Sequence, residues 1–427
     1  MANSIASRWR ELSGEKNWNG LLHPLDADLR RYIIHYGERT GTVGDLFNGE
    51  NCMSPKEEFF SAACLEKGNI FKYEVTHYLY AGSNIVEPAW FGYVAVTTDE
   101  GKAVLGRRDI LIVWRGTSSS SEWLNNALII PICATDLFGK GTKAKVHPGF
   151  LTLYTGSRPN SAYNKTSARE QVLVAVRELL TKYKDEEISI TVTGFSLGAA
   201  LAVLNAMDIV AHKYNSPTGY PHKSCMVTAF TFGGPRVGNS GLRKLYEKLA
   251  GDHFHILRMR NAHDPIPKVP YLLGYYVHLG TELTVDSSKS TYLKWRFWFG
   301  KSSIIITVNG DQLSANSTGI IIAEDEDESD SDNSHSLTRL EKEERAMRGF
   351  FEADEWVSAH NMDVYLHSIA GVQENNGFNL EPHYHDMALV NKHLDRLKDE
   401  YGIPTNWWED ENRKNMVQME DGSWVKK

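Results

Sequence analysis

The stretch Ile188-Ser189-Ile190-Thr191-Val192-Thr193-Gly194-Phe195-Ser196-Leu197-Gly198-Ala199-Ala200-Leu201-Ala202-Val203-Leu204-Asn205-Ala206-Met207 decides the fold. Its first six residues are rich in β-branched side chains and read as a buried strand. Its last nine are small and apolar and read as a helix. Between them stands Gly194-Phe195-Ser196-Leu197-Gly198, a G-x-S-x-G turn in the strand–turn–helix setting of a nucleophile elbow. The spacing puts Ser196 on a strained turn, where a side chain at Gly194 or Gly198 would collide with the adjoining strand or helix. The helix that starts after Ser196 aims N–H groups and a positive dipole end at any oxyanion formed there.

Working outward, strand and helix patterns alternate. Phe91–Thr97, Asp109–Trp114, Met226–Phe232 and Phe254–Met259 read as strands, with a turn near Asp99-Glu100-Gly101-Lys102. Helices are expected over Ser167–Tyr183, Ser240–Leu249, Leu340–Trp356, Asn361–Ile369 and Asp386–Tyr401. Residues 1–90 read as mostly helical, with helices from Asp26 and over Lys56–Cys64. The alternation predicts an α/β fold, a mostly parallel central sheet with helices on both faces and a helical N-terminal extension. Four regions follow: 1–90, helical and packed on the core; 91–294, the α/β core with the elbow and a lid; 295–350, an insertion; and 351–427, the C-terminal part of the same domain. The insertion carries the run Ala323-Glu324-Asp325-Glu326-Asp327-Glu328-Ser329-Asp330-Ser331-Asp332, which repels itself and is expected to be a solvated loop.

A serine nucleophile needs a base, an acid that orients the base, and oxyanion donors. In folds with this elbow the chain order is Ser, Asp, His. Asp264, in Arg260-Asn261-Ala262-His263-Asp264-Pro265, follows the strand 254–259 and so lies on the same sheet edge as Ser196. An Asp opening a turn before Pro is the plainer reading of that position. Several histidines follow. His360 enters a helix from a loop and fits the base best; His367, two turns on, and His278, at the opening of an element, are alternatives. The oxyanion donors are expected to be the N–H of Leu197 and a donor at Thr117, in Trp114-Arg115-Gly116-Thr117 at a strand end. The Ser-rich run 118–131 with Trp123 suits either a lid over a lipid cleft or a surface loop.

The chain has 427 residues, 41% of them hydrophobic, so a large core is available. A net charge of −8 speaks against nucleic acid and against steering to anionic membranes. The cysteines Cys52, Cys64, Cys133 and Cys225 show no metal or redox spacing and suit a reducing compartment. The N-terminal MANSIASRWRELSGEKNW lacks an apolar signal core, and no run reaches the ~18 residues of a membrane span. A cytoplasmic protein with peripheral lipid contact is expected, with no cofactor or metal and no partner protein evident.

Four blocks resemble the class 3 lipases of the α/β-hydrolase fold: Trp114-Arg115-Gly116-Thr117 with the Ser-rich segment, Val146-His147-Pro148-Gly149-Phe150, the elbow, and Phe232-Gly233-Gly234-Pro235-Arg236-Val237-Gly238-Asn239. Within that family the chain is similar to the plant class II phospholipase A1 group. The match rests on Trp18–Leu25, Arg30–Glu38, Asp264–Pro270, His360–Gly371, Ala388–Lys392 and the tail from Asn406-Trp407-Trp408 to Trp424. Residues 295–350 lengthen the segment before His360, and residues 38–60 are shortened and altered. The resemblance implies that Ser196, Asp264 and His360 form a catalytic triad and that 118–131 is a lid. It also implies metal-free hydrolysis of the sn-1 acyl ester of glycerophospholipids or galactolipids, met at a membrane or lipid-droplet surface. A neutral acylglycerol lipase and a catalytically silent lipase-like scaffold are the alternatives.

Overall fold

The computed structural model describes residues 2–83, 86–116, 130–217, 219, 223–251, 253–270, 275–294, 305–308, 311–314, 359–374, 377–381 and 384–427. Two compact units result: residues 1–293 with 354–427, and residues 294–353. The second is described only as an antiparallel pair, Ile305–Val308 with Asp311–Ser314. The expected acidic loop and the helix over Leu340–Trp356 lie outside the described residues.

The first unit is built on a seven-stranded sheet: β1 (Tyr73–Ala81), β2 (Ala89–Thr97), β3 (Arg108–Trp114), β4 (Ile188–Phe195), β5 (Met226–Phe232), β6 (Phe254–Asn261) and β7 (Thr281–Val285), in that spatial order. β1 and β2 are antiparallel; β3 through β7 are parallel. Successive residues of each central strand enter opposite cores, as the pleat requires. Ile110, Ile112, Ile190, Val192, Val227 and Ala229 join one cluster, whereas Leu111, Val113, Phe230, Phe232, Leu257 and Met259 join the other. Both faces are therefore apolar, and both are covered by helices. The longer helices among the described residues are α1 (Ala2–Leu12), α2 (Ala27–Asp45), α3 (Asp99–Leu105), α4 (Pro148–Thr155), α5 (Ala168–Lys182), α6 (Leu197–Ala211), α7 (Ser240–Leu249) and α8 (Met362–Ala370). Residues of α4, α5 and α6 fill the first cluster, and those of α1, α2 and α8 the second.

Capping chemistry sets several boundaries. Asp26 accepts the N–H groups of Asp28 and Leu29 at the start of α2. Ser167 and Glu170 form a reciprocal capping box at the start of α5. Beneath the sheet, Asp109 accepts the hydroxyls of Tyr36, Tyr73, Ser189 and Thr191 at 2.6–3.0 Å. Arg107 donates to Tyr36 at 2.9 Å. This buried network ties α2 and β1 to β3 and β4, and every donor named in it has an acceptor.

Three local expectations change. Residues 1–90 also supply the edge strand β1, whose aromatic and β-branched alternation from Tyr73 to Tyr80 is a strand signal. The expected turn at 99–102 is the helix α3, capped by the Thr98 hydroxyl and closed by Gly106 in the left-handed region. The expected helix over 386–401 is two short 3-10 turns, Met387–Asn391 and Asp399–Tyr401. The Asn391 side chain accepts the N–H groups of Arg396 and Leu397, both at 2.8 Å, so those donors do not enter a helical ladder. No helix among the described residues is long and apolar enough to cross a membrane.

Candidate active site

β4 delivers Ser196 to the carboxyl edge of the sheet, and α6 leaves from it. Ser196 has φ 57° and ψ −124°, a strained conformation for a residue with a side chain. Its N–H donates to the Phe232 carbonyl at 3.0 Å, and its side chain is nearly buried. The flanking glycines are forced by close packing. A Cβ on Gly194 would fall 2.2 Å from the Gly198 carbonyl oxygen, and one on Gly198 would fall 2.2 Å from that of Trp114. A helix leaves its first N–H groups without acceptors inside itself, and in α6 that end begins at Leu197.

The end of β3 passes beside this turn. A Cβ on Gly116 would stand 3.4 Å from the Cβ of Ser196. Arg115 holds the approach in place: it donates through Nε to the Trp90 carbonyl at 2.9 Å and through Nη1 to the Gly116 carbonyl at 2.9 Å. Its guanidinium lies against the rings of Phe47 and Phe91, 3.7 and 4.5 Å from their centroids. Burial lowers the Arg115 pKa to about 10, which still leaves it charged at neutral pH. Thr117 and residues 118–129 of the expected lid lie outside the described residues.

Asp264 follows β6 and is fully buried. Its Oδ2 accepts from His360 Nδ1 at 2.7 Å and from the Tyr365 hydroxyl at 2.6 Å, and its Oδ1 accepts the Ile266 N–H at 2.9 Å. A carboxylate with three donors is fixed in orientation. The His360 ring stacks on Phe195, the residue before Ser196, with centroids 4.5 Å apart. Asn261 donates to the Ala359 carbonyl at 3.0 Å and so holds the segment that presents His360. Gly233, at φ 57°, leaves room for the cluster. A Cβ there would stand 3.0 Å from Asp264 Oδ2, 3.1 Å from Phe195 and 3.2 Å from His360.

The alternative histidines are held elsewhere. His367 Nε2 pairs with the Ser290 hydroxyl at 2.7 Å, and its ring stacks on Phe378. His278 lies between Arg258 and Arg236, and burial with those charges pushes its pKa down to about 3. Of the residues expected from sequence, Ser196, Leu197, Asp264 and His360 therefore gather on one edge.

Tyr365, Phe195, Asn261 and Arg115 carry no expectation from sequence, although each positions a group in this cluster. Arg115 and Phe195 lie inside quoted motifs, so their places could have prompted the question. Tyr365 lies five residues past His360, inside the block His360–Gly371, where no spacing rule singles it out. Burial and the Asp264 charge raise the Tyr365 pKa well above that of a free phenol, so it stays a donor. For Tyr365→Phe we expect kcat/KM to fall about tenfold with KM little changed, as for one hydrogen bond to a charged group. An unchanged kcat/KM, measured beside an unchanged melting temperature, would leave the Tyr365 hydroxyl with no part in holding Asp264.

Residues 111–274 match the family described as Lipase (class 3). The chain is 37% identical over 454 residues to Phospholipase A1-IIbeta of Arabidopsis thaliana, covering 99% of this chain and 94% of that protein. It is 39% identical over 443 residues to Phospholipase A1-II 4 of Oryza sativa subsp. japonica, covering 99% and 95%. Among solved structures, the nonglycosylated Yarrowia lipolytica LIP2 lipase aligns with a TM-score of 0.45 and 20% identity, over 61% of this chain and 81% of that one.

Proposed function

Because this chain belongs to the class 3 lipases, and within them to the plant class II phospholipase A1 group, we propose that it cleaves the sn-1 acyl ester of glycerophospholipids with Ser196, His360 and Asp264. The observation that carries the residue assignment is the 2.7 Å contact between His360 Nδ1 and Asp264 Oδ2, with the imidazole stacked on the neighbour of Ser196. Ser196 Oγ attacks the ester carbonyl while His360 takes its proton through Nε2. Asp264 holds the ring and stabilises the imidazolium. The Leu197 N–H, with Thr117, receives the oxyanion. His360 then returns its proton to the glycerol oxygen, and the lysophospholipid leaves. Water, activated by the same imidazole, releases the fatty acid from Ser196.

The substrate is met at a membrane or lipid-droplet surface. Ile130 and Ile132 are exposed beside the Ser-rich segment. Ile132 pairs with Val146. Large apolar side chains left exposed in this way favour contact with lipid. Four unpaired cysteines favour a reducing compartment, the cytoplasm.

Phosphatidylcholine with different acyl chains at sn-1 and sn-2, assayed beside galactolipid and triacylglycerol, tests the reading. The sn-1 fatty acid and the 2-acyl lysolipid are expected. Release from sn-2, or turnover of triacylglycerol alone, would overturn the substrate assignment. Absence of turnover together with absence of labelling by a fluorophosphonate would leave a silent scaffold.

A further inference from the structure

β3 ends at Trp114, and the next residue carries a buried charge that meets no acid. Arg115 is 6% exposed and forms no ion pair with a described residue. At the other end of the strand, Arg107 stands 3.4 Å from Asp109 and Arg108 stands 2.9 Å from Glu186. The Trp90 and Gly116 carbonyls accept from Arg115, which satisfies N–H groups but leaves the charge unneutralised. A buried cation without a counter-charge is costly to keep.

Its enclosure comes from two segments. β2 supplies Phe91 and the turn 46–53 supplies Phe47, and both rings lie against the guanidinium. Phe47 bridges Cys52, and Asn48 Oδ1 accepts the N–H groups of Glu50 and Asn51 at 3.2 and 2.8 Å. The Glu50 carbonyl accepts the Trp90 N–H at 2.7 Å, so the turn is fastened to the residue that also receives Arg115 Nε. Phe47 packs against both cores. Aromatic faces attract a cation without cancelling its charge.

Gly116 carries that charge toward Ser196. A Cβ on Gly116 would stand 3.1 Å from the Phe195 carbonyl oxygen and 3.4 Å from the Cβ of Ser196. The Gly116 carbonyl, held by Arg115 Nη1 at 2.9 Å, opens a peptide unit. A peptide is planar and trans, so the N–H across its C–N bond points away from that oxygen. A cation on the oxygen polarises the unit and strengthens the N–H as a donor.

We propose that Arg115 is a positioning residue of the oxyanion pocket: its guanidinium holds and polarises the peptide after Gly116, whose N–H serves the oxyanion, and its charge is balanced when that oxyanion forms. Phe47, which keeps the guanidinium in place, then acts on the rate without touching substrate. This rests on the esterase reading. An interaction that strengthens only as the oxyanion forms raises kcat and leaves KM alone.

A long-chain trifluoromethyl ketone and the matched secondary alcohol, used as inhibitors of phosphatidylcholine hydrolysis, test it. The ketone carries an oxyanion once Ser196 Oγ has added and His360 has taken the proton; the alcohol does not. Arg115→Met is expected to lower kcat about 100-fold with KM little changed, the scale of one oxyanion donor. It should weaken the ketone by a similar factor and leave the alcohol unaffected. Arg115→Lys keeps a charge but cannot fork between two carbonyls, and should lose about tenfold in kcat and in ketone affinity. Phe47→Leu should lose about fivefold in both, and Phe47→Tyr, which keeps the ring face, should match the wild type. Equal weakening of ketone and alcohol, or a full rate in Arg115→Met, would overturn the proposal and leave Arg115 a structural latch. If Arg115→Met fails to fold, Arg115→Lys and Phe47→Leu decide by the same ratio. A wild type that releases no fatty acid and binds the ketone no tighter than the alcohol would overturn the esterase reading, and this proposal with it.

Discussion

Ser196→Ala is expected to lower phospholipid hydrolysis on the order of 100,000-fold while the melting temperature stays within about 2 °C of the wild type. The activity term is large because the triad mechanism has no second nucleophile: with the hydroxyl gone, His360 and Asp264 have no group to activate. What rate remains comes from substrate binding and from the oxyanion donors, which act on attack by water. The stability term is small for a local reason. Ser196 sits at φ 57°, and alanine meets the same backbone strain. Its side chain fills little space against the end of β3, so removing one oxygen leaves no sizeable cavity. Labelling by a fluorophosphonate probe reads the same hydroxyl independently of substrate. Labelling of Ser196→Ala equal to wild type would transfer the nucleophile to another residue, whatever the lipid assay reports.

The elbow is legible in sequence because its determinants are local. The β-branched strand, two glycines and a small-residue helix stand within twenty residues, and the contacts that exclude a Cβ at Gly194 and Gly198 lie within the turn or on the adjoining strand. Asp264 is legible for a related reason: a strand end fixes the sheet edge, and strand ends can be read from periodicity. His360 is only partly legible. Its choice over His367 and His278 depends on Asn261 holding Ala359 and on Gly233 making room, two contacts that no spacing rule encodes. The same holds for 386–401, where helical propensity loses to the Asn391 side chain capturing two N–H groups. The misread turn at 99–102 is different in kind. Thr98 before an acidic first turn and Gly106 after Leu105 are ordinary helix signals, overlooked because the segment joins two strands. β1 is of the same kind, its alternation plain once 1–90 is not treated as one helical block.

Asp264→Asn separates orientation from nucleophilicity, and we expect it to cost on the order of 10,000-fold in kcat at neutral pH. The native carboxylate receives three donors: His360 Nδ1, the Tyr365 hydroxyl and the Ile266 N–H. An asparagine has one carbonyl oxygen and one amide NH₂. If its oxygen stays with Tyr365 and His360, the NH₂ faces the Ile266 N–H, donor against donor. If it flips, Ile266 is satisfied, but the NH₂ meets His360 and forces the imidazole to accept at Nδ1. The proton then sits on Nε2, where it can no longer take one from Ser196. Either arrangement also removes the charge that stabilises the imidazolium. Stability should fall too, by about 1–3 kcal/mol, the cost of leaving a buried donor without an acceptor. Combining Asp264→Asn with Tyr365→Phe removes one competing donor, so the double variant should recover part of the lost melting temperature and none of the lost rate. Full activity of Asp264→Asn, with fluorophosphonate labelling as fast as wild type, would mean that His360 is oriented by some other group and that the 2.7 Å contact is structural.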